Sequence, residues 1–325
     1  MASQDFETLA RLIRTRAQLL RDGISERDLT RCVRDGTLLR LSRGLYASGE
    51  ALEELSAEYR HVVTVLASAR TMRRSYPFAS HSAAALHRLP LFHFDSARPQ
   101  ILIPNRANSS SNRMIERRVA ECQDPDLTAV GGVRCTNLER TVLDIARLDT
   151  AERAIVCADA AIRKRFPFRR GQLMSVRARA WRDELLGRLS ELHGARGIRR
   201  AAGVIELADG SADSPLESVA RWRFLSHGYA VDTQVAVDGP YGRSYFVDLE
   251  LRGLGVLCEV DGKSKYTDSD LRNDQTPGEV VYAEKRRADW IEGTTGKRVV
   301  RLGYKELVIN AAFVEWLHAF HVLRP

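Results

Sequence analysis

The chain has 325 residues, 50 Lys and Arg against 42 Asp and Glu, a formal net charge of +8 and a pI near 9.4. This length exceeds what most single cores reach and predicts two or three domains, while the absence of a long uncharged apolar run excludes a membrane-crossing helix. Five scattered cysteines with no C-x-x-C pair argue against a disulfide framework or a zinc site, and the basic excess suits a polyanionic partner.

The N-terminus, "MASQDFETLARLIRTR", has no apolar stretch before a small-residue cleavage site, which sets the expectation of a cytoplasmic protein. Residues 11 to 43 hold nine arginines against four acids. A helix is expected over about 5–21, stopping near Gly23. Ser25 then caps a second helix, "ERDLTRCVRD", with Asp28 suited to its positive end and Gly36 stopping it. Leu29, Cys32 and Val33 form its apolar stripe, and Arg27, Thr30, Arg31 and Arg34 lie on the other face. "TLLRLSRGLYAS" follows as two strands about a Ser42, Arg43, Gly44 turn, adding the basic side chains of Arg40 and Arg43. Two helices closed by such a hairpin describe a winged helix-turn-helix, whose second helix enters the major groove of double-stranded DNA. The alternative is a small helical bundle with solvated arginines.

"GISERDLTRCVRDGTLLRLSRGLYA" is similar to the N-terminal domain of AbiEi-type antitoxins. Over about the first 50 residues the resemblance implies a DNA-binding role and, as a partner, a cognate toxin. Further on, "EYRHVVTVLASARTM" predicts a helix, "ASHSAAALHRLPL" a capped helix ended by Pro90, "PQILIPNR" and "GGVRCTN" strands, and "LERTVLDIARL" a helix. His81, His87 and His93 are spaced by six and do not share a helical face, so they are read as structural. "SHSAAALHRLPL" and "RTVLDIA" resemble the linking domain of the same proteins. Residues 151–205 read as arginine-rich helices, and "ADGSADSP" (208–215) as a linker.

In the last segment Ser214, Pro215 and Glu217 spell a helix start with a capping box, followed by "VDTQVAV" and then "YFVDLELRGLGVLCEVDGKSKY" (245–266). If Gly253 and Leu254 form a two-residue loop, Arg252 pairs with Gly255 and Asp248 falls opposite Glu259. Side chains at i and i+2 share a face, so Asp248, Glu259 and Asp261 would crowd one patch. Opposed like charges destabilise a ladder unless a hard cation lies between them; the alternative is a solvated acidic edge.

Helix, three strands, then the "EKRRADW" helix and "KRVVRL" strand resemble the PD-(D/E)XK restriction-endonuclease-like superfamily, in detail its DUF559 and Vsr-like branch, over about 211–307. "CEVDGKSKY" and "AEKRRADWIEGTTGKRVVRL" carry the likeness. It implies that Asp248, Glu259 and Glu217 hold Mg²⁺ or Mn²⁺ for phosphodiester hydrolysis, with Gln234 orienting substrate or water. Asp261 stands where the common motif has lysine; Lys263 or Lys285 would replace that lysine, or the activity is lost. The alternative function is then an AbiEi-like repressor whose nuclease fold no longer cuts. The expected architecture is an α+β / α/β multidomain chain: a winged helix over 1–50, a mixed α/β domain over 51–207, and a restriction-endonuclease-like mixed sheet flanked by helices over 208–325.

Overall fold

The computed structural model describes residues 5–95, 98–104, 114–192, 194–262 and 277–323. The chain is mixed α/β with several small sheets and divides into two compact units, 1–149 and 150–325. Among the described residues no helix is long and apolar enough to cross a membrane.

The first unit runs α1 (Phe6–Arg11), β1 (Arg14–Thr15), α2 (Arg16–Arg21), α3 (Glu26–Asp35), β2 (Leu38–Ser42) and β3 (Leu45–Ser48). It continues with α4 (Gly49–Glu53), α5 (Ala57–Thr71), α6 (His81–Leu86), β4 (Gln100–Ile103), β5 (Glu116–Val119), β6 (Leu127–Val130), β7 (Val133–Thr136) and α7 (Leu138–Leu148). The single helix expected over 5–21 is two helices separated by β1. Thr15 explains the break: its hydroxyl accepts from the Gln18 N–H while the Gln18 side chain accepts from the Thr15 N–H, a complete capping box that starts a new helix. Residues 14 and 15 meanwhile pair with Tyr46 and Leu45.

The helix at 26–35 and the hairpin after it lie where the sequence puts them. Ser25 accepts from the Asp28 N–H, and Gly36 leaves the helix at φ 85°, a conformation glycine adopts without a Cβ penalty. Leu29, Cys32 and Val33 pack on Leu19, Leu38 and Tyr46. Beside that small cluster, Leu9, Ile13, Leu41 and Leu45 share a second one with Val62, Leu66, Phe78 and Ile101, so the first 50 residues are packed into the larger unit of residues 1–149. The cap expected for the "ASHSAAALHRLPL" helix does not form: its N-cap residue, Ser80, makes no side-chain capping bond and sits at φ 53°. His87 donates through Nε2 to the Thr136 carbonyl at 2.8 Å, and His81 pairs with Asp149.

The second unit runs α8 (Ala151–Arg165), α9 (Val176–Ser190), α10 (Ile198–Glu206), α11 (Pro215–Ser226), β8 (Val231–Asp238), β9 (Ser244–Leu251), β10 (Val256–Asp261), α12 (Pro277–Thr295), β11 (Arg298–Gly303), α13 (Tyr304–Val308) and α14 (Asn310–Ala319). Its strands form a sheet of order β11-β10-β9-β8, in which β10 and β11 are parallel and the other pairs antiparallel. The basic helices after residue 150 belong to this unit, because α8 packs on α10 and α11.

The 208–215 stretch is not a linker. Arg163 of α8 donates to the carbonyls of Gly210, Ser211 and Ala212 and pairs with Asp213, which also pairs with Arg170. A Cβ on Gly210 would lie 2.9 Å from Ile162. Small residues are required there by close packing, not by freedom of the chain.

Candidate functional site

Two surfaces carry the residues singled out by sequence. In the first unit the apolar stripe of α3 turns inward, which leaves Arg27, Thr30, Arg31 and Arg34 exposed; Arg40 and Arg43 are exposed on the adjacent hairpin. Arg31 makes an i,i+3 pair with Asp28 at 2.8 Å, and the Thr30 hydroxyl donates to the Glu26 carbonyl. Arg16 and Glu26 pair and brace α2 against α3. Among the described residues Arg27, Arg34, Arg40 and Arg43 make no side-chain ion pair or hydrogen bond, so their guanidinium groups remain available to phosphates or base edges.

The second surface is the acidic part of the C-terminal sheet. The expected register holds in its offset, since Val256 pairs with Leu251, Leu257 with Glu250 and Cys258 with Leu249. The loop, however, spans 252–255, and the ladder stops before Asp248 and Glu259 can pair. An Asp248 oxygen accepts from the Val260 N–H at 2.8 Å, so the carboxylate bonds the neighbouring backbone where the ladder ends.

Across β9 the same position is irregular in β8. Gln234 has φ 50°, and the Gln234/Asp248 pair is missing from an otherwise regular register. Thr233 accepts a hydrogen bond from Ser211 and Gln234 donates one to Glu217, so consecutive side chains both reach the 211–217 segment. Strict alternation forbids this; the left-handed residue breaks it.

Glu217 is buried on α11. Ser214 caps the Glu217 N–H, but the reciprocal half of a capping box does not form, because the Glu217 carboxylate accepts instead from the Asp213 N–H at 2.8 Å and the Gln234 amide at 3.1 Å. Burial, and next the charge of Asp248, push its carboxyl up to about 7, against the hydrogen bonds that favour the ionised form. Glu217, Gln234 and Asp248 thus come together.

Glu259 does not join them. Leu257 packs with Ile291 of α12 in a cluster that includes Val237 and Val247, so alternation sends Glu259 to that same face. There its two oxygens meet Arg287 of α12 and Arg301, its direct neighbour on β11. Val256, Cys258 and Val260 fill the opposite, α11-covered face. The sheet therefore stands between Glu217 and Glu259. Asp261 also pairs with Arg301 at 3.5 Å. Among the described residues no group of three or more His, Cys, Asp or Glu is placed to hold a metal ion, and the expected triad of Asp248, Glu259 and Glu217 is not assembled.

Lys285 is exposed and makes no ion pair among the described residues; Arg287 is the α12 residue turned to the sheet, and a position two residues away points elsewhere on a helix. Lys263 lies outside the described residues. Cys258 is an inert core thiol: burial, and then the charges of Asp248, Glu259 and Asp261, push it well above its ordinary value. Sequence reasoning overlooked Arg301; the parallel pairing of β10 with β11 across a helix would have placed Arg301 beside Glu259.

A hard cation fits part of this set. Mg²⁺ commonly keeps several waters and uses one or two carboxylates plus substrate phosphate. Glu217 and Asp248 offer two carboxylates whose mutual repulsion a cation would relieve. Glu259 does not fit, since both of its oxygens are already neutralised.

No protein-family model matches the chain. Two Mycobacterium tuberculosis proteins, described as uncharacterized protein MT2308 (strain CDC 1551 / Oshkosh) and uncharacterized protein Rv2248 (strain ATCC 25618 / H37Rv), are each 28% identical to it over 236 residues, which is 70% of this chain and 75% of theirs. A crystal structure of the Rv2827c protein from Mycobacterium tuberculosis matches with a TM-score of 0.35 and 16% identity, over 72% of this chain and 87% of that one.

Proposed function

We propose that the chain binds double-stranded DNA through α3 and the β2–β3 hairpin, as a winged helix-turn-helix does. The observation that carries this reading is the exposed arginine array on one helix and the hairpin beside it, with Arg27, Arg34, Arg40 and Arg43 unpaired among the described residues. Such side chains neutralise phosphates and release counterions, so affinity falls steeply with salt. In anisotropy titrations of a labelled duplex, Arg31→Glu with Arg34→Glu is expected to weaken binding at least tenfold and to flatten the log–log salt slope by about 2, about one per lost phosphate contact. Unchanged affinity and slope would remove α3 from the interface.

For the second unit the Glu217–Asp248 pair supports metal-dependent hydrolysis of DNA phosphodiesters, in a fold of restriction-endonuclease-like type. Glu217 and Asp248 would hold Mg²⁺ or Mn²⁺. When bound, the ion supplies charge neutralisation at the phosphoryl group and an acidified water. Gln234 holds the Glu217 carboxylate in place through its amide. The full chain incubated with supercoiled, linear and mismatched DNA in Mg²⁺ or Mn²⁺ is expected to cut, and Asp248→Ala and Glu217→Gln each to abolish or sharply lower cutting, since each removes a carboxylate ligand.

A second reading rests on the Glu259 clamp. With Arg287 and Arg301 on its oxygens and aspartate in place of the motif lysine, the second unit would serve as a scaffold, and the protein would act as a cytoplasmic DNA-binding repressor of the AbiEi-like antitoxin kind, with a cognate toxin as partner. DNA binding without cleavage by the parent chain selects this reading.

A further inference from the structure

A cavity of about 500 Å³ opens in the first unit beside the hairpin, between the end of β2, the C-terminal end of α5 and strands β4 and β5. Its volume lies within the range of small-molecule sites. The floor is apolar, formed by Met72, Tyr76 and the buried Ile101. Four arginines surround it, Arg43, Arg73, Arg74 and Arg117, and among the described residues no carboxylate lines it.

Three of these arginines share one concave site with nothing among the described residues to neutralise them. Among the described residues Arg43, Arg73 and Arg74 make no ion pair and no side-chain hydrogen bond. Attraction to the negative end of a helix explains a cation within the last turn, and Arg70 occupies that position in α5. It does not explain Arg73 and Arg74, which follow the C-cap Met72. By contrast, the largely buried Arg140 is answered by Asp126 and Asp144. Ser42 and Thr71, in the same wall, bond to each other at 2.6 Å and so hold β2 to α5 at the cavity's edge.

We propose that this cavity binds a small organic anion that joins one or more phosphate groups to a flat apolar body, the chemistry of a nucleotide. Guanidinium groups grip phosphate oxygens in pairs, and the Met72–Tyr76–Ile101 floor offers an apolar surface on which a ring packs. A concave site with the buried Ile101 in its lining favours a small molecule over the convex backbone of a duplex. Arg43 belongs both to this cavity and to the proposed DNA-binding hairpin, so bound anion and bound DNA would compete for it. That competition rests on the DNA reading; anion binding itself does not.

The test is calorimetric titration of the full chain with ADP and, separately, inorganic pyrophosphate, in the absence of DNA. ADP is expected to bind with a dissociation constant below about 1 mM and more tightly than pyrophosphate, since the floor adds to the phosphate grip. Arg73→Glu with Arg74→Glu, at exposed positions and checked for an unchanged melting curve, is expected to weaken ADP at least tenfold. Absence of ADP binding, confirmed by a melting temperature that ADP does not move, overturns the proposal. So does ADP binding that the double reversal leaves intact. If the double reversal weakens only the labelled duplex while neither small anion binds, the cavity is part of the DNA interface and the proposal fails. If ADP binds and the duplex does not, the proposal stands and the DNA reading falls.

Discussion

Arg221→Ala is expected to destabilise the C-terminal unit by about 3–5 kcal/mol, the usual cost of removing one partner of a buried ion pair. Arg221 of α11 is 5% exposed and Asp159 of α8 is 2% exposed. One guanidinium nitrogen reaches both Asp159 oxygens at 2.9 and 2.8 Å, and another donates to the Leu207 carbonyl at 2.6 Å, just beyond α10. Asp159 also accepts from the Asp209 N–H at 2.7 Å. The fork therefore ties three helices and the 208–215 stretch together. Its loss strands a buried carboxylate and an unmet carbonyl, whereas a double replacement, Asp159→Leu with Arg221→Met, removes both charges and is expected to recover most of the loss. Hydrogen exchange checks this unit by unit. Amides of α8, α11 and β10 should lose protection in Arg221→Ala, while those around Leu66 and Phe78 keep theirs, because that core contains neither partner. Equal loss in both units would refute a role confined to the second. The effect bears on function because Glu217 lies one helical turn before Arg221, on the same face of α11.

Local chemistry was well written in the sequence. Ser25, Asp28 and Gly36 delimit α3, and the Leu29, Cys32, Val33 stripe gives its inward face. The glycine-containing turn after Leu251 gives the offset of β9 against β10. Each of these depends on contacts a few residues apart. What required the tertiary structure was less legible. Small polar residues at 208–215 look like a linker, yet Arg163 holds them; nothing local distinguishes a flexible stretch from a close-packed one. Alternation predicted Asp248 and Glu259 on one patch, but the β9–β10 ladder stops before them, where Asp248 bonds the Val260 N–H, and the left-handed Gln234 interrupts the register on β8. Glu259 was then claimed by Arg301, whose position follows from a parallel pairing across some forty residues. The anion cavity escaped notice because Arg43, Arg73 and Arg117 meet only after β2, α5 and β5 are brought together. The phrase "MRRSYP" already held two adjacent arginines after a helix end.

Glu217→Gln is expected to stabilise the second unit at pH 8 and to have little effect at pH 4. The sign follows from linkage. Glu217 has its folded-state proton affinity raised from 4.5 to about 7, chiefly by burial and then by Asp248. Between those values the folded chain binds more protons than the unfolded one, so stability falls as pH rises through this window. The favourable contribution is complete below 4.5 and lost above 7. Its full size is about 3 kcal/mol, an upper figure because the shift belongs to the Glu217–Asp248 pair. Glutamine can keep its oxygen where Oε2 accepts from both the Asp213 N–H and the Gln234 amide, which makes a gain of about 1–3 kcal/mol at pH 8 the working expectation. Denaturant melts of both chains across this pH range give the measurement; parallel curves would show that Glu217 carries no raised affinity. The same experiment with Mn²⁺ tests the proposed hydrolysis. A cation held between Glu217 and Asp248 must displace the proton, so Mn²⁺ should stabilise the parent increasingly as pH rises through about 7, and Glu217→Gln and Asp248→Asn should not respond. If Mn²⁺ stabilises parent and variants alike, the pair is no cation site. Its repulsion would then be simply a cost of burying two acids, and the repressor reading would be the one left standing.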